Sequence, residues 1–157
     1  MYLECRKEDK VKFTPARLAA AITPKTKMLI FNSPSNPTGA VYTEEEVRAI
    51  AKVCEEKEIF VLSDEIYAEL TFGETKHVSI ASIEGMAERT LVVNGFSKTF
   101  SMTGWRLGYA CGPKPLMEQI VKIHQYMIMC APTTSQYAAV EALRNCDDAV
   151  EEMLEEY

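Results

Sequence analysis

Four short apolar runs stand out along the chain, and each of them ends in turn-forming or polar residues. The runs read KMLIFNSP, IFVLSDE, TLVVNGFS and RLGYACGP. Short apolar runs bounded by turn residues are typical of strands that are buried in a sheet. The pattern therefore predicts four buried β-strands.

The segment between the first two runs, YTEEEVRAIAKVCEEKE, has the period of an amphipathic helix. Thr43 and Glu46, three residues apart at its start, form the sequence signature of a capping box. A strand, a capped amphipathic helix and a second strand predict a βαβ unit and hence a parallel sheet. The apolar positions that share one helical face are Val47, Ile50, Ala51 and Cys54.

Further helices are predicted on either side of this unit. TPARLAAAI predicts a short helix capped by Thr14, with Pro15 at its first position, and another short helix is expected near Ile80 to Met86. After the fourth run, LMEQIVKIHQYMIMC predicts a helix with one apolar stripe. That stripe consists of Leu116, Ile120, Ile123 and Met127.

The last part of the chain continues the helical pattern after a break. Pro132 interrupts the periodicity, and TTSQYAAVEALRN restarts it with Thr133 or Thr134 as the expected cap. DDAVEEMLEEY then begins another helix.

Length and charge narrow the class of protein. A chain of 157 residues with 47% hydrophobic residues is long enough for one domain with a real core. Its net charge of -6 is acidic, and no basic stripe is present that would neutralise phosphates. The sequence gives no support to a nucleic-acid partner.

The cysteines and the first residues of the chain indicate where in the cell the protein is located. Five cysteines form no CxxC pair and are odd in number, which is typical of reduced thiols, and two histidines are too few to suggest a zinc site. The opening MYLECRKEDK is charged where a secretory signal would be apolar, and no window approaches the length of a membrane span. We therefore expect a soluble, cytoplasmic protein without a membrane partner.

Polar residues that could bind a ligand or take part in catalysis follow three of the predicted strands. The first run ends in NSPSNPTG, the second in SDEIY and the third in NGFSKTF. Ligands of open α/β sheets collect at the carboxyl ends of the strands. The residues of interest at these ends are Asn36, Asp64, Tyr67, Ser97 and Lys98.

Each of these residues also has an ordinary structural interpretation. The sequence from Asn36 to Gly39 is what a type I turn prefers. An aspartate after a strand, such as Asp64, often caps a helix, and a lysine such as Lys98 is usually a surface charge. Tyr67 alone is typical of a core or interface ring. Only their combination points to a ligand.

A single cofactor would use all of these groups. A deprotonated lysine amine such as that of Lys98 attacks an aldehyde, which pyridoxal phosphate supplies. The cofactor ring withdraws electrons best when its nitrogen is protonated, and a carboxylate such as that of Asp64 holds that proton. Asn36 and Tyr67 can donate to the phenolate oxygen of the ring.

The phosphate group of such a cofactor also finds partners. A guanidinium fork and a hydroxyl bind phosphate well, and Arg106 and Ser97 offer them within a few residues of Lys98.

Three motifs, NSPSNPTG, SDEIY and SKTFSMTGWRLGY, carry a family resemblance in this order and spacing. They resemble the class I and II aminotransferases, which are fold-type I pyridoxal-phosphate enzymes of the aspartate aminotransferase superfamily. The resemblance covers nearly the whole chain. It implies an α/β fold that is part of the family's large domain, with a mostly parallel sheet, one antiparallel strand and flanking helices.

The resemblance also implies a role for each site residue. Lys98 would be the Schiff-base lysine and proton shuttle, and Asp64 the partner of the pyridinium nitrogen. Asn36 and Tyr67 would donate to the phenolate oxygen, and Ser97 and Arg106 would bind the phosphate. The family pattern also makes a cis bond between Asn36 and Pro37 an expectation.

One departure from the pattern lies inside the third motif. Some branches of the family carry a further serine or threonine three residues before the lysine, where this chain has Gly95. The phosphate would then depend more on Arg106, Ser97 and backbone amides.

The family's chains are much longer than 157 residues, so the resemblance implies a central fragment. We expect residues 1–146 to be a partial pyridoxal-phosphate-binding large domain and residues 147–157 to begin a helix that leads toward a small domain. The opening YLECR would be an edge strand, and the sheet would show two open edges. Arg144, in an exposed helical context, is not expected to bind the substrate carboxylate.

Function follows from the resemblance as an expectation with open alternatives. The leading one is an aminotransferase that moves an amino group between an amino acid and a 2-oxo acid, from a parent protein that is a homodimer. A carbon-sulfur lyase on the same fold and a non-catalytic module that binds pyridoxal phosphate are the alternatives. The isolated chain is expected to bind the cofactor weakly and to turn over little or nothing.

Overall fold

The computed structural model describes residues 1–156 and contains one four-stranded sheet. The strands lie side by side in chain order, with the first three parallel and the last antiparallel to its neighbour. The four predicted strands and the α/β fold class are therefore confirmed. The strands are β1 (Met28–Asn32), β2 (Phe60–Asp64), β3 (Thr90–Gly95) and β4 (Gly108–Cys111).

Within residues 1–156, five α-helices accompany the sheet, at the places that the periodicity predicts. They are α1 (Pro15–Ala21), α2 (Glu44–Glu56), α3 (Lys114–Met127), α4 (Thr133–Asn145) and α5 (Asp147–Glu156). Thr14 caps α1 as expected, because its Oγ1 accepts a hydrogen bond from Arg17 N. The capping box of α2 is also confirmed, with Thr43 Oγ1 and the Glu46 carboxylate each accepting from the other residue's backbone N–H.

The main core lies on one face of the sheet, between its first two strands and helices α1 and α2. The predicted face of α2 is buried there, and Ile50 and Cys54 have no exposed surface. The burial of this face against the sheet outweighs the weak intrinsic stability of a 13-residue helix. The core residues from the strands and α1 include Leu18, Leu29, Phe31 and Val61.

The opposite face of the sheet is apolar and exposed. In β1 and β2 the side chains alternate, so that Leu29 is buried whereas Met28, Ile30 and Phe60 face outward, with Ile30 72% exposed. Helix α3 is likewise uncovered, since none of its residues is buried. Of its predicted apolar stripe, Leu116 and Ile120 are partly buried, whereas Ile123 and Met127 are exposed.

Three local predictions are wrong. YLECR is not a strand, because no neighbouring strand is present to accept its hydrogen bonds, and the chain instead folds back so that Arg6 bridges Lys12. In place of one short helix near Ile80 to Met86 the chain forms a 3-10 turn at Ile80–Ser82 and a second, just beyond that range, at Ala87–Arg89. Neither Thr133 nor Thr134 caps α4; Pro132 occupies that position.

Candidate functional site

The end of β1 is joined to the end of β2 by the side chain of Asn32. Its Nδ2 donates to the Asp64 carbonyl oxygen (3.2 Å), and its Oδ1 accepts from Asn36 N (3.1 Å). The turn that follows contains cis peptide bonds at Ser33-Pro34 and at Asn36-Pro37, and the second of these was expected. Asn32 thus fixes the turn that carries Asn36.

Sequence reasoning missed Asn32. The available signal was its place as the last residue of a strand, where the parallel register sets it opposite Asp64.

Asp64 and Tyr67 lie at and just beyond the end of β2. Asp64 is the last residue of the strand, and its Oδ1 accepts a hydrogen bond from Ile66 N (3.2 Å). A turn follows, in which Ala68 N donates to the Glu65 carbonyl (2.9 Å). The chain therefore turns at once after the strand, which places Tyr67 close to Asp64 in sequence and in space.

Lys98 lies on a compact loop, residues 96–107, between the two antiparallel strands β3 and β4. The Phe96 carbonyl accepts from Phe100 N (3.3 Å) and Met102 N (3.2 Å), and the Lys98 carbonyl accepts from Ser101 N (3.1 Å). Phe96 and Met102 are buried in a second core cluster with Ala139 and Ala142 of α4. The backbone that carries Lys98 is thereby anchored at several points.

Three of the expected site residues come together above the strand ends. Asn36 Nδ2 lies 3.5 Å from Tyr67 Oη, at the outer limit of a hydrogen bond. Lys98 Nζ lies 5.6 Å from the centroid of the Tyr67 ring, within the range of a cation-π contact. One side chain from each of three separate segments therefore meets at Tyr67.

Ser97 and Arg106 are linked through Thr103. The Thr103 hydroxyl donates to the Ser97 carbonyl (2.9 Å), and Arg106 Nη1 donates to the Thr103 carbonyl (2.7 Å). Arg106 has φ 53° and ψ 49°, a left-handed conformation that costs a residue with a side chain about 1–3 kcal/mol. Such a conformation is frequent where a side chain must be aimed at a ligand. Thr103 was not anticipated from the sequence.

Gly95 leaves almost no room for the hydroxyl that some family branches have at this position. A Cβ on Gly95 would lie 3.2 Å from Gly108 Cα, from Ile66 Cδ1 and from the Leu107 carbonyl oxygen. Gly95 and Gly108 are paired in the β3–β4 ladder, so the two glycines approach each other closely. The absence of a side chain here follows from the local packing.

A groove of about 300 Å³ opens beside Asn36 and Tyr67. Its walls are mostly apolar and include Pro37, Leu70 and Phe72. Asn36 and Tyr67 line this groove, whereas Lys98 does not.

Within residues 1–156 there is no cluster of three or more histidine, cysteine or acidic side chains that could hold a metal ion. In the same part of the chain, no helix combines the length and the apolarity that crossing a bilayer requires.

Comparison with known proteins shows the family to which this chain belongs. The whole chain, residues 1–157, matches the family described as aminotransferase class I and II. The chain belongs to that family.

Individual relatives agree with this assignment. Aspartate aminotransferase of Bacillus subtilis (strain 168) is 43% identical over 100% of this chain and 40% of its own length. Aspartate aminotransferase of Pyrococcus abyssi is 47% identical over 96% of this chain and 39% of its own length. The chain spans about two fifths of the length of the curated relatives it matches.

A solved structure agrees in backbone geometry as well as in sequence. The crystal structure of an aromatic aminotransferase from Pyrococcus horikoshii matches with a TM-score of 0.97 and 45% identity. The match covers 100% of this chain and 43% of that one. The large-domain fold expected from the motifs is therefore confirmed.

Proposed function

We propose that this chain forms the pyridoxal-phosphate-binding part of an aminotransferase, which moves an amino group between an amino acid and a 2-oxo acid. The observation that carries the proposal is the meeting of Asn36, Tyr67 and Lys98 at the ends of neighbouring strands. An amine beside two hydrogen-bond donors, with Asp64 on the adjacent strand end, fits an aldehyde on a protonated aromatic ring.

Lys98 and Asp64 would do the chemical work on this side of the cofactor. The Lys98 amine would hold the cofactor covalently and, when released, carry a proton between substrate and cofactor. Asp64 Oδ1 accepts the Ile66 N–H, and within residues 1–156 no hydrogen bond engages Oδ2, which can hold the proton of the ring nitrogen. The bound cofactor supplies an electron sink for the substrate carbon.

Asn36 and Tyr67 would orient the ring by donating to its phenolate oxygen. Their side chains are already within 3.5 Å of each other, so one acceptor oxygen can lie between both donors with a small adjustment. Asn32 supports this arrangement because it holds the backbone of Asn36.

Ser97 and Arg106 would bind the phosphate group. Arg106 Nη1 donates to the Thr103 carbonyl, and Nε and Nη2 of the exposed guanidinium remain available for a bidentate contact with the phosphate. The Ser97 hydroxyl lies one residue before Lys98, so the phosphate and the aldehyde of one cofactor can be bound by the same loop.

The relatives and the sequence suggest the wider setting of the activity. We propose a cytoplasmic homodimer as the parent protein, with residues 1–146 as cofactor-binding large domain and residues 147–157 leading toward a second domain. The named relatives act on aspartate or aromatic amino acids, which makes these the first donors to test.

Reductive trapping tests the cofactor claim directly. The protein is incubated with pyridoxal phosphate, reduced with borohydride and digested, and the modified peptide is identified by mass spectrometry. We expect the label on Lys98, its loss in Lys98→Ala, and its retention in Lys10→Ala, a control at an exposed position. Full cofactor occupancy with the label on another residue would contradict the proposal.

The reaction products that the protein forms at its natural length distinguish the possible reaction types. An aminotransferase converts aspartate or phenylalanine to the 2-oxo acid and leaves an aminated cofactor, which 2-oxoglutarate restores. Release of pyruvate, ammonia and a thiol from cysteine-derived substrates would indicate a lyase instead. Labelling of Lys98 without any product would indicate a non-catalytic module.

A further inference from the structure

A buried carboxylate lies directly behind the strand end that carries Asp64. Glu65 is 5% exposed, and its Oε1 accepts hydrogen bonds from Ser63 Oγ (2.8 Å) and Ser79 Oγ (2.7 Å). Its Oε2 lies 3.0 Å from His77 Nε2. Three side chains thus surround one carboxylate that none of the proposed roles uses.

Hydrogen bonds from the three neighbouring side chains stabilise the negative charge of Glu65. Burial raises the pKa of the Glu65 carboxyl, but the hydrogen bonds from His77, Ser79 and Ser63 lower it by more, so the pKa lies below its ordinary value. The contact with Oε2 requires a proton on His77 Nε2, because a carboxylate only accepts. His77 Nδ1 is buried without a partner in the described residues.

The position of Glu65 connects this cluster to the site. It follows Asp64 and precedes Tyr67 by two residues, and the alternation of side chains along a strand sends it to the face opposite Asp64. Its backbone N–H extends the ladder to the Val93 carbonyl (2.9 Å), and its carbonyl accepts from Ala68 N (2.9 Å). Glu65 therefore follows the last residue of the strand directly and begins the turn.

The carboxylate also ties together the two ends of a long loop. Glu65 lies before the loop, whereas His77 and Ser79 lie after it, 12 and 14 residues further along the chain. Ser63 anchors the carboxylate to the strand itself and is 1% exposed. Buried and part-buried contacts of Glu65 therefore hold the start of the turn that carries Tyr67.

We propose that Glu65 is a positioning residue for the cofactor site, which acts by holding Asp64 and Tyr67 in place through its buried contacts with Ser63, His77 and Ser79. The inference rests on the proposed function. Glu65 itself does not reach the cofactor, because its side chain lies on the opposite face of the strand. Loss of its charge should loosen cofactor binding without removing any group that touches the cofactor.

The test is cofactor affinity in Glu65→Gln, measured with the gene product at its natural length. Titration with pyridoxal phosphate, followed by visible absorbance, should give a dissociation constant raised about tenfold, a typical effect of removing a supporting contact behind a ligand-binding group. Ile50→Val, in the core on α2, is the control. It lowers stability, but we expect its dissociation constant to stay within about twofold of the unsubstituted value.

A double-mutant cycle identifies the route of the effect. If Glu65 acts through Tyr67, then Glu65→Gln should weaken binding much less in a Tyr67→Phe background than in the unsubstituted protein. Should Glu65→Gln fail to fold, Ser79→Ala removes one of the three donors, and we expect about a threefold rise in the dissociation constant.

An unchanged dissociation constant in a folded Glu65→Gln or Ser79→Ala variant would overturn the inference. Fully independent effects of Glu65→Gln and Tyr67→Phe would overturn the part of it that concerns Tyr67. Failure of the proposed function is recognised separately, because Lys98 of the unsubstituted protein would then take up no label. Labelled Lys98 with unaffected variants contradicts the positioning role alone.

Discussion

At the scale of single residues, close backbone approach decides which groups can serve the site. Gly95 occupies a position where a hydroxyl would be chemically useful, yet opposite Gly108 in the ladder a Cβ would lie only 3.2 Å from Gly108 Cα, which is a tight contact. The phosphate must then rely on groups from the loop itself, among them Ser97 and Arg106. A position that departs from a motif can therefore reflect packing.

Gly95→Ser tests this explanation. The new Cβ would press on Gly108 Cα and the Leu107 carbonyl at 3.2 Å, so we expect the free energy of unfolding to fall by about 1–3 kcal/mol. Urea denaturation measures the change. Gly104→Ala is the control, because a Cβ there meets nothing within 4 Å, and its effect should stay within about 0.5 kcal/mol. Equal stability of the two variants would refute the steric account.

A second prediction concerns how the contribution of the Glu65 carboxyl to stability changes with pH. Its pKa is lower in the folded protein than in the unfolded chain, so its contribution to stability is present above about pH 4.3 and is lost as the pH falls through the folded value. The difference in unfolding free energy between the unsubstituted protein and Glu65→Gln should therefore shrink on acidification below pH 4. Ile50→Val, which removes no titratable group, should show no such trend. A difference that is constant with pH would contradict the shift.

At the scale of elements, the helices depend on caps and on the face that they bury. The capping box of α2 satisfies backbone groups at a helix start, and Glu46 also bonds the buried Lys12 ammonium at 2.6 Å. Burial raises the pKa of the Glu46 carboxyl, but the contacts with Lys12 and Thr43 lower it by more. The start of α2 is therefore tied to the N-terminal segment as well as to its own first turn.

Thr43→Ala should reduce the free energy of unfolding by about 1 kcal/mol, because the Glu46 N–H loses its acceptor. Chemical denaturation gives the value. Thr43→Ser keeps the hydroxyl and should remain within about 0.5 kcal/mol of the unsubstituted protein. If the serine variant is as unstable as the alanine variant, the methyl group and not the cap is responsible.

At the scale of the whole molecule, one face of the sheet is packed and the other is open. Met28, Ile30 and Phe60 present an apolar patch to solvent, and β1 and β4 are the two edges of the sheet, as the family resemblance implied. Exposed apolar patches and unpaired strand edges favour association between chains. The 157-residue chain should therefore self-associate as its concentration rises.

Ile30→Gln tests the role of the apolar face. Sedimentation velocity should show less association than in the unsubstituted chain, and ammonium sulfate, which strengthens apolar burial, should enlarge the difference. Ala20→Gln, on the exposed side of α1, should leave association unchanged. Equal association of the two variants would show that the open face is not the contact surface.

The sequence predicted much of the fold because its signals are local. The strand runs, the capping box of α2 and the Thr14 cap depend on residues within a few positions of one another. The segment YLECR shows the limit, since a strand needs a hydrogen-bonded neighbour and none lies beside it. The stripe of α3 shows it too, because an apolar pattern predicts a helix but not the surface that covers it.

For the site, the sequence by itself determined which chemical groups are present and that they follow three strands. Only the tertiary structure decided which of them meet, because parallel register and loop closure set the distances between residues far apart in the chain. It brought Lys98 over Tyr67, joined Asn32 to Asp64 and paired Gly95 with Gly108. It also buried Glu65 with His77 across a loop, a contact that no local pattern contains.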